Sequence, residues 1–169
     1  MLSFDILSLA RKAEQVDGEL AADDKVWESG DTRPSSALRV TGRLSSAGAG
    51  RFYFSGRVHG ETRAECRRCL TDVVSSIEEQ LHLLFAEAGD AETDDQDVYR
   101  IDPRATELDL RPAIREQWLL AAPAFLQCRE DCKGLCPTCG ADLNLGACSC
   151  APATDSRWDA LRKVRNSHS

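Results

Sequence analysis

Six of the eight cysteines fall within twenty-three residues, at Cys128, Cys132, Cys136, Cys139, Cys148 and Cys150. The middle pair sits in Gly134-Leu135-Cys136-Pro137-Thr138-Cys139-Gly140. That order turns the backbone so that two thiolates point at one ion while amide N–H groups face the sulfurs. Four such ligands saturate a tetrahedral zinc, and binding the ion can fold a loop too small and too polar to fold unaided. Zinc is therefore the expected cofactor. The other two cysteines stand in Cys66-Arg67-Arg68-Cys69, itself a Cys-x-x-Cys turn. Eight thiolates satisfy two tetrahedral ions with none left over. The simplest partition gives Cys136, Cys139, Cys148 and Cys150 to one local site, and Cys66, Cys69, Cys128 and Cys132 to a second. Spacing leaves two other partitions open: one local site with Cys66 and Cys69 as a reduced pair, or a sulfur-bridged two-zinc cluster of the six.

Other chemistries fit these residues less well. A disulfide framework needs an oxidising compartment, and Met1-Leu2-Ser3-Phe4-Asp5-Ile6-Leu7 has no cationic start or long apolar core, so a cytoplasmic location is expected. No run approaches eighteen apolar residues, and no membrane span is expected. A catalytic zinc keeps an open position and usually has a His or carboxylate ligand, whereas an all-cysteine set is closed. His59, His82 and His168 read as exposed or packed imidazoles rather than general bases. Gly56 and Gly60 read as residues that bend a strand, not as a phosphate loop. The expectation is a protein that is not an enzyme and takes no small-molecule substrate.

The elements that must position these thiols read as an α+β fold. Leu38, Val40, Gly42 and Leu44 alternate with Arg39, Thr41 and Arg43. After the small-residue turn from Ser45 to Gly50, Phe52, Phe54, Gly56, Val58, Gly60, Thr62, Ala64 and Cys66 alternate with polar neighbours. Such period-two patterning predicts an antiparallel hairpin with one buried face. Val73, Ser75, Ile77, Glu79, Leu81, Leu83 and Phe85 predict a third strand beside it, completing a curled antiparallel sheet. Phe4 to Val16 reads as a strand followed by a short helix. Asp109 and Pro112 open a helix with Leu110, Ile114, Trp118 and Leu119 on one side, packed on the sheet and stopped by Pro123. Ala86 to Asp97 is an acidic loop, and Asp155 to Val164 an amphipathic tail with Trp158 and Leu161 inward. The resulting division is 1–123 as the α+β core with a basic sheet, and 124–169 as the Cys-rich zinc-binding segment and tail.

Charge is segregated along the chain. Arg33 to Leu70 holds eight arginines against two acids, a local +6 in a chain of net -7. The strand register places Arg39, Arg43, Arg57, Arg63 and Arg67 on the wet face with Tyr53 and His59. Arginine suits phosphate and stacks on bases, so these five are the candidate RNA-binding residues.

Four stretches then fit together. They are Arg63-Ala64-Glu65-Cys66-Arg67-Arg68-Cys69-Leu70; Glu107-Leu108-Asp109-Leu110 with Arg115 to Pro123; Cys128 to Asn144; and Asp155-Ser156-Arg157-Trp158-Asp159-Ala160-Leu161. In this order they resemble the bacterial YceD family, the large ribosomal RNA subunit accumulation proteins. Ser156 departs from the family's Asp-Pro-Arg-Trp pattern, and members need not carry every cysteine. The resemblance implies a role in 23S ribosomal RNA accumulation during large-subunit assembly, with ribosomal RNA, an assembly intermediate or a ribosomal protein as partner. A redox-sensing, zinc-switched chaperone is the alternative, suggested by Cys148-Ser149-Cys150 and Cys136-Pro137-Thr138-Cys139.

Overall fold

The alternation between residues 38 and 85 is realised as three long strands. The computed structural model describes residues 1–48, 50–87, 98–151 and Arg157. The acidic loop and amphipathic tail expected from the sequence lie outside the described residues, apart from Arg157 and from Ala86 and Glu87, which end a strand instead of opening the loop. The elements are β1 (Ser3–Asp5), α1 (Ile6–Leu9), β2 (Glu14–Leu20), β3 (Leu38–Gly48), β4 (Arg51–Glu65), β5 (Asp72–Glu87), β6 (Val98–Ile101), β7 (Glu107–Asp109) and α2 (Arg111–Ala121). The chain divides into two compact units. Met1–Ala64 and Val73–Leu126 form unit 1; Glu65–Asp72 and the chain from Gln127 form unit 2.

Unit 1 is built on a five-stranded sheet of order β2-β3-β4-β5-β6, with β1 and β7 paired separately. It is not a closed barrel. β2 and β4 both run antiparallel to β3. Tyr53 meets His82 and Arg57 meets Glu78 across β4 and β5, so one index rises by four as the other falls by four, as in antiparallel neighbours. The sheet is nevertheless mixed, because β6 pairs with β5 in parallel. The all-antiparallel expectation is corrected at this edge. Val98-Tyr99-Arg100-Ile101 is too short for a period of two to declare itself. The other edge, β2, follows the alternation rule beyond the Val16 limit of the sequence reading: Val16, Gly18 and Leu20 are buried while Gln15, Asp17 and Glu19 are exposed.

The buried face carries Leu38, Val40, Leu44, Phe52, Phe54 and Val58. α2 covers it with Ile114 and the fully buried Trp118, whose indole N–H donates to the Thr32 carbonyl at 2.8 Å. Gly60 makes room for that ring, since a Cβ there would stand 3.1 Å from it. Asp109 acts one residue before the helix cap: its carboxylate accepts the Arg111 amide at 2.9 Å, while Leu110 is the cap residue. Ala122 is extended, as a residue preceding proline favours, and the helix stops. A bidentate pair from Arg115 to Asp31, at 2.7 and 2.9 Å, ties the 24–32 segment to α2, and the guanidinium holds the Asp31 carboxyl below its usual range.

Gly42 and Gly56 face each other across β3 and β4. A Cβ on Gly56 would fall on the Thr41 carbonyl oxygen and within 2.6 Å of the Phe54 ring. Backbone cannot step aside as a side chain does, so Gly56→Ala is expected to destabilise unit 1 by about 1–3 kcal/mol. Urea denaturation checks this, with Ser55→Ala as the tolerated neighbour.

Candidate metal centres and the basic sheet face

The sulfurs gather in two groups of four. Cys66, Cys69, Cys128 and Cys132 form one and Cys136, Cys139, Cys148 and Cys150 the other, with the sulfurs of each group within 4.8 Å of one another. All eight belong to unit 2. Either group could hold a metal ion. Tetrahedral coordination with zinc–sulfur bonds of about 2.3 Å places sulfurs about 3.8 Å apart. Cys66 and Cys132 sulfurs are 3.9 Å apart, and those of Cys69 and Cys128 are 3.6 Å apart. The donor set is of the soft, all-thiolate kind that selects zinc or iron–sulfur chemistry.

Both Cys-x-x-Cys segments fold as one and the same turn. In the first, the Leu70 amide donates to the Cys66 carbonyl at 2.9 Å and the Cys66 amide to the Thr71 carbonyl at 2.8 Å. In the second, Gly140 donates to Cys136 and Cys136 to Ala141, each at 2.8 Å. The fifth position is left-handed in both, with φ +73° at Gly140 and +61° at Leu70. Glycine occupies that region freely, whereas a leucine there is strained. Leu70 is also 56% exposed, so packing does little to offset the strain. This equivalence is invisible in the sequence because only the cysteines recur.

Amide donors face the sulfurs as the knuckle order implies. The Thr138 amide lies 3.4 Å from Cys136 Sγ and the Cys128 amide 3.4 Å from Cys66 Sγ. Cys69 Sγ lies 3.4 Å from the Thr71 hydroxyl. Asn144, to which the sequence reading assigns no role, supports the first group. Its side-chain N–H donates to Cys132 Sγ at 3.5 Å and to Asp142 at 2.7 Å, while its oxygen accepts the Lys133 amide at 2.8 Å. Leu135, just before the second knuckle, donates its amide to the Arg68 carbonyl inside the first, at 2.9 Å.

Within each group the thiols diverge. Burial pushes the Cys66 thiol up, but the amides of Arg68, Cys128 and Cys69 outweigh it and bring it down to about 6. The amides of Cys139 and Thr138 bring Cys136 down to about 6. In the opposite direction, burial and the neighbouring thiols push Cys128 up to about 12. Bonding to the Cys139 sulfur, then burial, pushes Cys150 up to about 11. One proton leaves readily and the next does not, because a second thiolate would face the first; a bound dication removes that penalty.

The five arginines have unequal surroundings. Arg39 pairs with Asp17 of β2 at 3.0 Å and Arg57 with Glu78 of β5 at 2.8 Å. Arg43, Arg63 and Arg67 are exposed and make no ion pair among the described residues. Arg67 belongs to unit 2, the other four to unit 1.

A family model described as "Large ribosomal RNA subunit accumulation protein YceD" matches residues 54–165. The chain belongs to the YceD family. The match runs from β4 past both cysteine groups, leaving β1 to β3 outside it. Among relatives, uncharacterized proteins of Mycobacterium tuberculosis and Mycobacterium bovis are 34% identical over 110 residues, covering 63% of this chain and 52% of theirs. The chain thus spans about half the length of these relatives. A chloroplastic protein of Zea mays named as a YCED homolog and large ribosomal RNA subunit accumulation protein is 37% identical over 83 residues, 48% of this chain and 28% of its own. No solved structure matches the chain. No helix among the described residues is long and apolar enough to cross a membrane.

The shared turn yields a pair of opposite effects. Leu70→Gly relieves the left-handed strain and is expected to stabilise unit 2 by about 1 kcal/mol, while Gly140→Ala imposes it and costs about as much. Hydrogen exchange at the amides of 66–71 and 132–144 reads both.

Proposed function

We propose that this chain supports accumulation of 23S ribosomal RNA during large-subunit assembly as a non-catalytic binding module with two structural zinc ions. Its partner is ribosomal RNA in an assembly intermediate, or a ribosomal protein there. The observation that carries this reading is the family match over residues 54–165. Cys66, Cys69, Cys128 and Cys132 would hold one zinc, and Cys136, Cys139, Cys148 and Cys150 the other. Bound zinc would supply the charge that lets four thiolates share one small volume, and a closed all-cysteine set leaves no position for substrate. The chain's own residues do the rest: amides and Asn144 orient the sulfurs, and the knuckles fix the surface around them.

RNA contact falls to the arginine-bearing face, with Arg39, Arg43, Arg57, Arg63 and Arg67 as its residues. Arg43, Arg63 and Arg67, without carboxylate partners among the described residues, are the ones able to take phosphate without first giving up an ion pair. Sucrose-gradient fractionation with crosslinking tests the reading directly: the chain is expected to travel with large-subunit precursors and to crosslink to their RNA or protein. Arg43→Glu, Arg63→Glu and Arg67→Glu together are expected to weaken that association and to lower its salt slope by about one unit for each phosphate no longer neutralised. Unchanged binding at physiological salt removes the arginine face from the proposal.

Native mass spectrometry of the reduced protein is expected to find two zinc ions per chain, and one after Cys136→Ser. A metal-free chain that is fully folded would overturn the structural role of zinc. One observation favours the rival redox switch: Cys139 is exposed and Cys148 and Cys150 are half-buried, so the second group is open to oxidants. Under the structural reading mild peroxide leaves zinc bound and creates no chaperone activity. Zinc release coupled to suppression of client aggregation would establish the rival.

A further inference from the structure

The exposed face of the unit 1 sheet carries a patch that a count of arginines does not describe. Tyr53 of β4 and His82 of β5 are exposed, and the tyrosine hydroxyl lies 2.8 Å from His82 Nδ1. The ring centroids are 6.2 Å apart and the planes differ by 17°. The hydroxyl contact sets the two rings side by side with nearly parallel faces.

Beside it lies a depression of about 300 Å³ lined by Thr41, Ser55, Arg57, Gln80 and His82 and floored by the Gly42–Gly56 pair. Hydroxyl and amide side chains offer donors and acceptors together, which is what the edge of a base requires. Arg43 stands directly opposite Ser55 in the β3–β4 register. The neighbouring carboxylate, Glu78, is held by Arg57. The patch is therefore polar and aromatic, with one guanidinium free of any ion pair among the described residues.

A duplex is bound chiefly through many phosphates, and this patch has a single such cation. Nearly parallel aromatic faces next to mixed donors and acceptors suit an unstacked base, with its phosphate on the cation. We infer that Tyr53, His82, Ser55, Gln80 and Arg43 form a binding site for one or two unpaired nucleotides of RNA. The inference rests on the RNA-binding reading above and deepens it: stacking and base-edge contacts, more than the arginine charge, hold the strand.

Fluorescence anisotropy of the full-length, zinc-loaded protein with a labelled single-stranded RNA twelve-mer tests this. An abasic strand of the same length and charge, and a duplex of the same length, serve as comparisons. The base-bearing strand is expected to bind more tightly than either. Tyr53→Ala with His82→Ala is expected to weaken it on the order of tenfold or more, whereas Tyr53→Phe keeps the ring and most of the affinity. Lys12→Gln, at an exposed cation outside both the patch and the arginine face, is expected to leave affinity within about twofold of wild type. Equal binding of the base-bearing and abasic strands by the wild-type protein overturns the inference without relying on any variant. So does wild-type affinity in the folded double variant, or no binding to single strands at all. Large-subunit association measured in parallel separates the two ideas: if the chain still travels with precursors when the nucleotide site fails, the proposed function stands and this site does not.

Discussion

Four thiols confined within 4.8 Å of one another cannot all carry charge unless a cation sits among them. Unit 2 is organised around that constraint twice. Among its described residues the buried apolar side chains are Cys66, Cys69, Cys132 and Cys136, so cysteine stands where other small domains place leucine and valine. The knuckle amides, the Thr71 hydroxyl and the Asn144 side chain are polar groups turned toward sulfur. They would be poorly used around neutral thiols. Apolar area thus contributes little to this unit, where hydrogen bonds to sulfur surround two groups that could each hold a metal ion, in contrast to unit 1, whose core is built from Trp118, Phe54 and aliphatic side chains.

The same logic of compensation governs the sheet's exposed face. Arg39 and Arg57 each reach a carboxylate on the adjacent strand, so the basic stretch is balanced by residues distant from it in the chain, Asp17 and Glu78. Exposed pairs of this kind contribute little to stability. Their effect is on the field near the surface, which is weaker than a local count of +6 implies. What distinguishes the middle of the face is the arrangement of neutral groups between the ion pairs.

Much of this was legible in residue order. Alternation over 38–44 and 52–66 placed every long side chain of those strands on its observed face, because a buried sheet face enforces a period of two along any strand long enough to display it. Trp118 was legible as core for the analogous helical reason. The four residues of β6 were not, and neither was its parallel pairing, which depends on where the chain returns rather than on what it contains. Cysteine spacing pointed to the two groups the sulfurs form but could not exclude the alternatives, since Cys66 and Cys128 come together only through folding. Tyr53 was legible as exposed; its partner His82 was not, because cross-strand register had first to be known. Asn144 and Leu70 close two of the stretches that carry the family resemblance, but neither the contact of Asn144 with sulfur nor the left-handed backbone at Leu70 is written in residue type or spacing.

Cys69 and Cys128 are 59 residues apart and yet belong to one group. At synthesis rates of about 5–20 residues per second, the first knuckle leaves the ribosome roughly 3–12 s before its partners exist. The second knuckle waits only from Cys139 to Cys148, on the order of a second. For that longer interval Cys66 and Cys69 are nascent-chain thiols with only half of their group of four, open to oxidation or to capture by a stray soft metal. The timetable of translation, rather than the affinity of the finished site, sets how well the first centre must be protected while it is being made.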